Sequence, residues 1–213
     1  MPLAAPLGPL AIIVSLVGGY LLGSIPFGVI ATRWAGLGDV RSIGSGNIGA
    51  TNVLRTGRRD LALATLIGDA GKGVAAVLVF GALFGAAAAA IAGGAAFLGH
   101  LFSVWLKFKG GKGLAVFLGI LLAIAWPAGL LACATWALIA AIFRFSSLAS
   151  LAAAALAPLW IFLFGGGLAP AFWLCLFMTL LIFLRHKENI QRLASGEEPR
   201  IGRSRANPWP ANR

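Results

Sequence analysis

Several short stretches of the sequence combine glycines with polar and basic side chains, the residue types that together bind phosphate. The first is GSGNIGATNVLR, residues 44 to 55. Closely spaced glycines let backbone N–H groups converge on an anion, and the planar guanidinium of Arg55 matches phosphate geometry. The other candidate residues of this stretch are Gly44, Ser45, Gly46, Asn47, Gly49, Ala50, Thr51 and Asn52. We interpret it as an anion-binding loop, the alternative being a flexible polar loop.

The second stretch is GDAGKG, residues 68 to 73, which lies in or beside an apolar segment. Asp69 and Lys72 are three residues apart and therefore share one face of a helix. Ionisable side chains at membrane depth usually face a bundle interior or a water-filled cavity. The two residues are either ligand-binding or a neutralised pair that lets the helix tolerate its position.

The third stretch is GHLFSVWLKFKGGKG, residues 99 to 113, and its GGKG turn precedes an apolar segment. A lysine beside glycines at a helix N-terminus combines a charge with free N–H groups and the helix dipole. Gly110, Gly111 and Lys112 are therefore candidates for binding phosphate. The spacing is not that of a Walker A loop, and no Ser or Thr follows the lysine.

Three other residues of the third stretch have simpler interpretations. Lys107 and Lys109 alternate with aromatic residues, and we expect their ammonium groups only to reach the membrane interface. His100 is either part of a site or a histidine that is hydrogen-bonded to a neighbour.

Two short polar groups follow later in the chain. RFSSLAS, residues 144 to 150, places Ser147 at the start of an apolar segment, where a hydroxyl often only caps a helix. RHKEN, residues 185 to 189, brings His186 and Asn189 to the end of the last apolar segment. All five groups are rich in donors for anions and poor in carboxylates.

The rest of the sequence shows what must position these groups. It has 213 residues, of which 60% are hydrophobic and 11% are charged, against about a quarter charged in soluble domains. Apolar runs long enough to cross a bilayer predict an all-α, polytopic membrane protein with a bundle of seven transmembrane helices. The predicted spans are residues 7–31, 61–84, 88–106, 113–126, 128–143, 148–164 and 168–184. They form one membrane domain, residues 1–195, followed by a basic tail, residues 196–213.

The basic residues predict the orientation of this bundle. Of the 17 Lys and Arg residues, Lys72 lies within the second span and the other 16 fall in alternate connections or the tail, which the positive-inside rule assigns to the cytoplasm. The N-terminus is then outside, the C-terminus is cytoplasmic, and every candidate stretch lies at one cytoplasmic mouth. The tail is expected to lie on anionic lipid.

The same layout excludes several classes of protein. Residues 44 to 49 match G-x-G-x-x-G, but a dinucleotide-binding site needs a βαβ unit around that motif, and this loop connects two membrane helices. No zinc-ligand spacing occurs, and no G-x-S-x-G nucleophile elbow occurs. Cys133 and Cys175 lie in apolar runs, where free thiols behave as small hydrophobic side chains. The residues alone predict phosphate-group chemistry on a lipid precursor, without a metal or another cofactor.

At this level of detail the sequence resembles a known family. GSGNIGATNVLR, GDAGKG, GHLFSVWLKFKGGKG, SLAS and RHKENIQRL, in that order, resemble the bacterial acyl-phosphate-dependent glycerol-3-phosphate acyltransferases. The resemblance covers about residues 20 to 195. It departs at Ser103, where the family usually has proline, and at Lys107, where a small residue is usual.

The resemblance implies a specific reaction. A fatty acyl group passes from acyl phosphate to the 1-position of glycerol 3-phosphate, which gives 1-acyl-glycerol 3-phosphate in the first step of phospholipid synthesis. The enzyme would lie in the cell (inner) membrane with its active site at the cytoplasmic face. Neither nucleic acid nor an obligate protein partner is implied.

The resemblance also implies residue roles. The catalytic centre would contain Ser45, Lys112, Ser147, His186 and Asn189. Arg55 would help to hold glycerol 3-phosphate, and the backbone from Gly44 to Thr51 would hold acyl phosphate. Since no carboxylate is placed as a general base, the leaving phosphate is expected to take the hydroxyl proton.

Two other classes of protein must be weighed against this enzyme. An anion transporter or channel needs polar residues at several depths, including the midplane, whereas the outer half of the predicted bundle is apolar. A membrane protein that only binds anionic lipid does not need serine, asparagine and glycine residues arranged with the basic side chains.

Overall fold

The computed structural model describes residues 7–164 and 170–202, and every regular element in these residues is helical. Ten α-helices are present: α1 (Pro9–Ser24), α2 (Phe27–Trp34), α3 (Ala50–Val53), α4 (Arg59–Phe84), α5 (Ala86–Leu101), α6 (Leu114–Ile124), α7 (Trp126–Phe143), α8 (Ser146–Phe164), α9 (Pro170–Arg185) and α10 (Lys187–Ala194). Single 3-10 turns occupy Val40–Ser42, Leu54–Thr56 and Val104–Leu106. The predicted all-α, multi-pass class is confirmed.

The described residues do not confirm the predicted number of spans. Five segments of the described chain are long and apolar enough to cross a membrane, or six if α9 and α10, bent by 59°, count as one. The predicted span 113–126 corresponds to α6, which has 11 residues and is therefore only ~16 Å long, about half of a bilayer core. The count of seven and the orientation of the termini therefore stay predictions. The first two residues of the last predicted span lie outside the described residues.

Two prolines mark where helices break. Pro26 lies between α1 and α2. The first helix ends before it because proline has no N–H and disfavours the α conformation in the preceding residue. The first predicted span is thus two helices rather than one. Pro127 lies in the first turn of α7, where a missing N–H costs nothing. The break predicted there is confirmed.

Small residues allow the helices to pack closely, as is common between membrane helices. At Gly23 of α1, a side chain would overlap the backbone of Ala96 on α5. At Gly119 of α6, it would overlap the backbone of Ala70 on α4. The main apolar core lies among α4 to α9 and contains Phe97, Phe117 and other buried side chains. This packing fixes the helix ends from which the polar side chains extend.

Candidate active site

Asn52 is the centre of the glycine-rich loop. Its side chain is buried, and its Nδ2 group donates to the carbonyls of Val40 at 2.9 Å, Ile43 at 3.1 Å and Asn47 at 2.8 Å. All of its donor capacity is used inside the loop, because an amide has only two N–H bonds. Asn52 therefore fixes the shape of the loop.

The Oδ1 atom of Asn52 joins the two ends of the same loop. It accepts hydrogen bonds from the Ser45 N–H at 3.0 Å, the Ser45 hydroxyl at 3.3 Å and Arg55 Nη1 at 3.2 Å. Gly44 lies between these groups with φ of +57°, and a Cβ there would overlap Asn52 and Arg55. Glycine is thus required at position 44 both by conformation and by space.

The rest of the loop lies beside the start of α8. The hydroxyls of Thr51 and Ser146 are 3.0 Å apart. Gly46 has φ of +68°, and the Gly49 N–H donates to Asn47 Oδ1 at 3.3 Å. Ala50 begins α3. The loop therefore contacts the start of α8 through Thr51.

The GGKG turn is built differently from its prediction as a set of free N–H donors. The N–H groups of Gly110 and Gly111 donate to the carbonyls of Leu101 at 3.1 Å and His100 at 2.9 Å, which end α5. The Arg185 guanidinium donates to the carbonyls of both glycines, each at 3.2 Å. These glycines allow a close approach to α5 and leave Lys112 as the group of the turn that can hold an anion.

Lys112 belongs to a chain of polar side chains that ends on a carboxylate. Its ammonium donates to Asn189 Oδ1 in a short hydrogen bond, and Asn189 Nδ2 donates to Glu198 Oε1 at 2.6 Å. Arg192 Nε donates to the other oxygen of Glu198 at 2.7 Å. Burial lowers the pKa of Lys112 to about 8, and repulsion from Arg192 contributes. A charge held in such a partly desolvated position acts strongly on a bound anion.

The other side chains of this centre are Ser147 and His186. Burial raises the pKa of Glu198, but Ser147, Asn189 and Arg192 together bring it below its usual value. Ser147 Oγ is buried near the Glu198 carboxylate, although the geometry between them is not that of a standard hydrogen bond. His186 Nδ1 lies 2.8 Å from the Ile182 carbonyl. Since a carbonyl only accepts, Nδ1 carries the proton and leaves Nε2 of the neutral ring as an acceptor.

Arg55 connects the loop with this centre. Burial lowers the pKa of its guanidinium, the Glu198 carboxylate opposes that shift, and Arg192 adds to it. Ser45, Arg55, Lys112, Ser147, His186 and Asn189 therefore belong to adjoining parts of one polar region.

Asp69, Lys72 and His100 form a second, buried cluster, which meets the GGKG turn where the His100 ring lies against Gly111. They are only 1%, 4% and 3% exposed. Lys72 Nζ lies 2.8 Å from Asp69 Oδ1 and donates to the Ile25 carbonyl at 2.7 Å, while His100 Nδ1 is 3.5 Å from the same carboxylate. This placement favours the interpretation of Asp69 and Lys72 as a neutralised ion pair over a role in ligand binding, because Lys72 connects α4 to the break between α1 and α2.

Two cavities adjoin the polar region. One, of about 620 Å³, is lined by Gly46, Lys109 and Arg185, together with Arg41 and Asp39. Asp39 is held by Arg41 and Arg33 at 2.6 Å and 2.8 Å, so cationic groups are in excess there. Lys109, which was expected only to reach the interface, is thus part of a polar pocket.

The other cavity is an apolar groove of about 650 Å³ between α1, α5 and α9. It extends along α5 from Ala90 to Leu98, and Tyr20 is among its lining residues. The Tyr20 hydroxyl donates to the Phe102 carbonyl at 2.6 Å, and the Phe102 ring lies 5.7 Å from the Arg185 guanidinium. Phe102 therefore joins the groove to the polar pocket.

Sequence reasoning missed Arg185, Arg192 and Glu198. Arg185 was counted only as a basic residue, and Glu198 lies beyond the predicted domain boundary at residue 195. Nothing in their local sequence distinguishes them from surface charges, because their hydrogen-bond partners are distant in sequence. The separation is 74 positions for Arg185, 6 for Arg192 and 9 for Glu198 with Asn189.

The site and fold define an integral membrane protein that has a basic, glycine-rich mouth and an apolar groove. The family model described as glycerol-3-phosphate acyltransferase matches residues 13–196. The glycerol-3-phosphate acyltransferase of Caulobacter vibrioides is 62% identical over 194 residues, which is 90% of this chain and 88% of that protein. The one from Cereibacter sphaeroides is 59% identical over 196 residues and covers 92% of each chain.

A solved structure has the same fold. The integral membrane glycerol 3-phosphate acyltransferase PlsY, in its glycerol 3-phosphate form, superposes with a TM-score of 0.84 at 36% identity and covers 90% of this chain and 96% of that chain. Its lysophosphatidic acid form gives 0.82 at 35% identity, with coverage of 90% and 95%. The molecule is thus an integral membrane acyltransferase. It belongs to the glycerol-3-phosphate acyltransferase family.

Proposed function

We propose that this protein transfers a fatty acyl group from acyl phosphate to the 1-position of glycerol 3-phosphate. The products are 1-acyl-glycerol 3-phosphate and inorganic phosphate. The observation that carries this proposal is the polar centre around Lys112, beside which Arg185 lines a basic pocket that Phe102 connects to an apolar groove. The two substrates carry two phosphate groups and one acyl chain, which require two basic regions and one apolar region. The enzyme works in the cell (inner) membrane, with this centre at the cytoplasmic face.

The acyl donor is already activated, so the protein mainly positions and stabilises. The 1-hydroxyl oxygen of glycerol 3-phosphate attacks the acyl carbon, and the carbonyl oxygen becomes an oxyanion. The Lys112 ammonium stabilises this charge, while Ser45 and Ser147 donate hydrogen bonds to it or to phosphate oxygens. The bond from the acyl carbon to the phosphate oxygen then breaks, and the leaving phosphate takes the hydroxyl proton.

The remaining residues hold the substrates. Arg55 binds the phosphate of glycerol 3-phosphate through its planar guanidinium. His186 accepts a hydrogen bond from the glycerol hydroxyl at Nε2 and orients it. The basic pocket with Lys109 and Arg185 receives the phosphate of the donor, and the groove along α5 receives its acyl chain.

An acyl-transfer assay on purified protein tests this proposal. Acyl phosphate, acyl-CoA and acyl carrier protein are offered in parallel with glycerol 3-phosphate. Only acyl phosphate should support turnover, because the described residues form no recognisable nucleotide or carrier-protein site. Equal turnover with acyl-CoA would refute the assignment of the donor, and no product from any donor would refute the activity.

A further inference from the structure

The chain after α10 returns to the turn between α7 and α8 and is fixed there. The Ile201 N–H donates to the Arg144 carbonyl at 2.7 Å, and Arg144 Nη2 donates to the Ile201 carbonyl at 3.1 Å. The Arg200 guanidinium lies 5.4 Å from the centre of the Phe145 ring. We call residues 196–202 the C-terminal strap.

The strap carries Glu198 into the polar centre. The side chain of Glu198 is only 6% exposed, and its two oxygens accept from Asn189 and Arg192 at 2.6 Å and 2.7 Å. Its neighbour Glu197 is exposed, and among the described residues its carboxylate accepts a hydrogen bond only from the Ser195 hydroxyl, at 3.2 Å. Two adjacent carboxylates thus differ completely in their surroundings.

We propose that Glu198 is a positioning residue that acts on Lys112 through Asn189 and is held in place by the docked strap. The carboxylate touches neither reacting group. It fixes which end of the Asn189 amide faces the lysine. This inference relies on the proposed function only for naming the reaction that Lys112 serves.

The two ends of the Asn189 amide differ in their hydrogen bonding. Asn189 can present either an acceptor oxygen or a donor N–H₂ group to a neighbour. A carboxylate only accepts, so Glu198 holds the N–H₂ end, and the oxygen must face the Lys112 ammonium. Without the carboxylate the amide can rotate, and an N–H₂ group facing an ammonium would repel it.

Glu198 also affects the charge of Lys112. The groups that face this lysine are Arg192 and Arg185, which repel its proton, and Glu198 and Glu188, which attract it. His186 lies within electrostatic reach of it as well. With its pKa at about 8, Lys112 loses its positive charge as the pH rises through that value. Removing the Glu198 charge lowers the pKa further, so the charge is lost at a lower pH.

The test compares Glu198→Gln with the matched control Glu197→Gln in the full-length protein. The rate kcat with acyl phosphate is measured against pH, and thermal unfolding in detergent verifies the fold. The alkaline limb of the wild-type profile should lie near pH 8. In Glu198→Gln it should move to lower pH by about one unit, since an opposite charge nearby typically shifts a pKa by that much or more. Glu197→Gln should keep the wild-type profile.

A second variant tests the strap itself. Arg144 has φ of +62°, a conformation that glycine adopts without strain, so Arg144→Gly removes the side-chain contact to Ile201 without disturbing the turn. It should shift the alkaline limb in the same direction as Glu198→Gln, but less. A folded Glu198→Gln protein with the wild-type limb would overturn the proposal.

A readout that needs no turnover separates this inference from the proposed function. The pH dependence of Lys112 acetylation by acetic anhydride, followed by mass spectrometry, reports the same pKa. If wild-type protein does not use acyl phosphate, the proposed function fails, yet acetylation still decides the inference. An unchanged acetylation profile in Glu198→Gln would refute the role of Glu198 whatever the substrate is.

Discussion

At the scale of single residues, Lys112 differs from the other lysines of its stretch. It is hydrogen-bonded to Asn189 and is mostly shielded from solvent, whereas Lys107 is exposed at the end of a 3-10 turn. A preorganised charge contributes to catalysis only where charge develops in the transition state. The two lysines therefore form a matched pair for mutation.

We expect Lys112→Ala to lower kcat by about 10² to 10³, the usual loss when one charge-stabilising donor is removed. Lys107→Ala should leave kcat within about twofold, because surface substitutions away from a site have small effects. Steady-state kinetics on both purified variants, with melting temperatures as the check on folding, measures this. An equal loss of kcat in Lys107→Ala would contradict this assignment and would place the anion site nearer the end of α5.

At the scale of elements, the glycine-rich loop depends on one side chain. Asn52 uses both ends of its amide to join residues 40 to 55, and the carbonyls that it satisfies are part of a compact turn. Buried polar groups that lose their partners cost ~1–3 kcal/mol each. The loop is thus more than a flexible run of glycines.

Asn52→Ala should therefore lower the free energy of unfolding by about 3 kcal/mol and raise the KM for glycerol 3-phosphate, since Arg55 loses its orienting acceptor. Asn47→Ala, whose side chain makes one hydrogen bond of 3.3 Å, is the control and should cost less than about 1 kcal/mol. Thermal unfolding and substrate titration measure both effects. Equal stability of the two variants would mean that Asn52 does not organise the loop.

The groove between α1, α5 and α9 allows a prediction about substrates. Ala90 lies 11 positions before Leu101, the end of α5, so it is ~16 Å along the helix from the polar mouth. Ala90→Phe should fill the far end of the groove and lower kcat/KM for palmitoyl phosphate at least tenfold more than for octanoyl phosphate. An energy difference of about 1.4 kcal/mol suffices for this factor, and burying a few methylenes supplies it.

The control is Ala82→Phe, because Ala82 is exposed on α4 and lies outside the groove. It should not change the preference between the two donors. If Ala90→Phe reduces turnover equally with both chain lengths, the acyl chain lies elsewhere.

At the scale of the whole molecule, orientation is a testable property. In a Cys133→Ser, Cys175→Ala background, single cysteines replace Ala86 and Ser195, both of which are exposed. The charge distribution predicts that position 86 reacts with a membrane-impermeant maleimide only from outside and position 195 only from the cytoplasm. Reaction of both from the same side would contradict an odd number of crossings between them.

The sequence predicted the helices well because membrane spans depend on composition over many residues. The ends of α4, α7, α8 and α9 lie within about two residues of their predicted positions. The short helix α6 was read as a full span, since an apolar run does not show where the chain turns back. Lys112 and His186 stand out as site candidates in the sequence because their motifs are local. Glu198 was missed because it reaches its partners on α10 only when the chain folds back after that helix toward the turn between α7 and α8.

The close approach of α1 and α5 has a mechanical consequence for the groove. Gly19 and Gly23 place the backbone of α1 directly against Ala92 and Ala96, so these two helices can neither slide nor rotate past each other without a clash. They form one rigid wall. The opposite wall is α9, which contributes Leu174 and Phe177. We therefore expect backbone movements that widen or narrow the groove to occur at α9 rather than between α1 and α5.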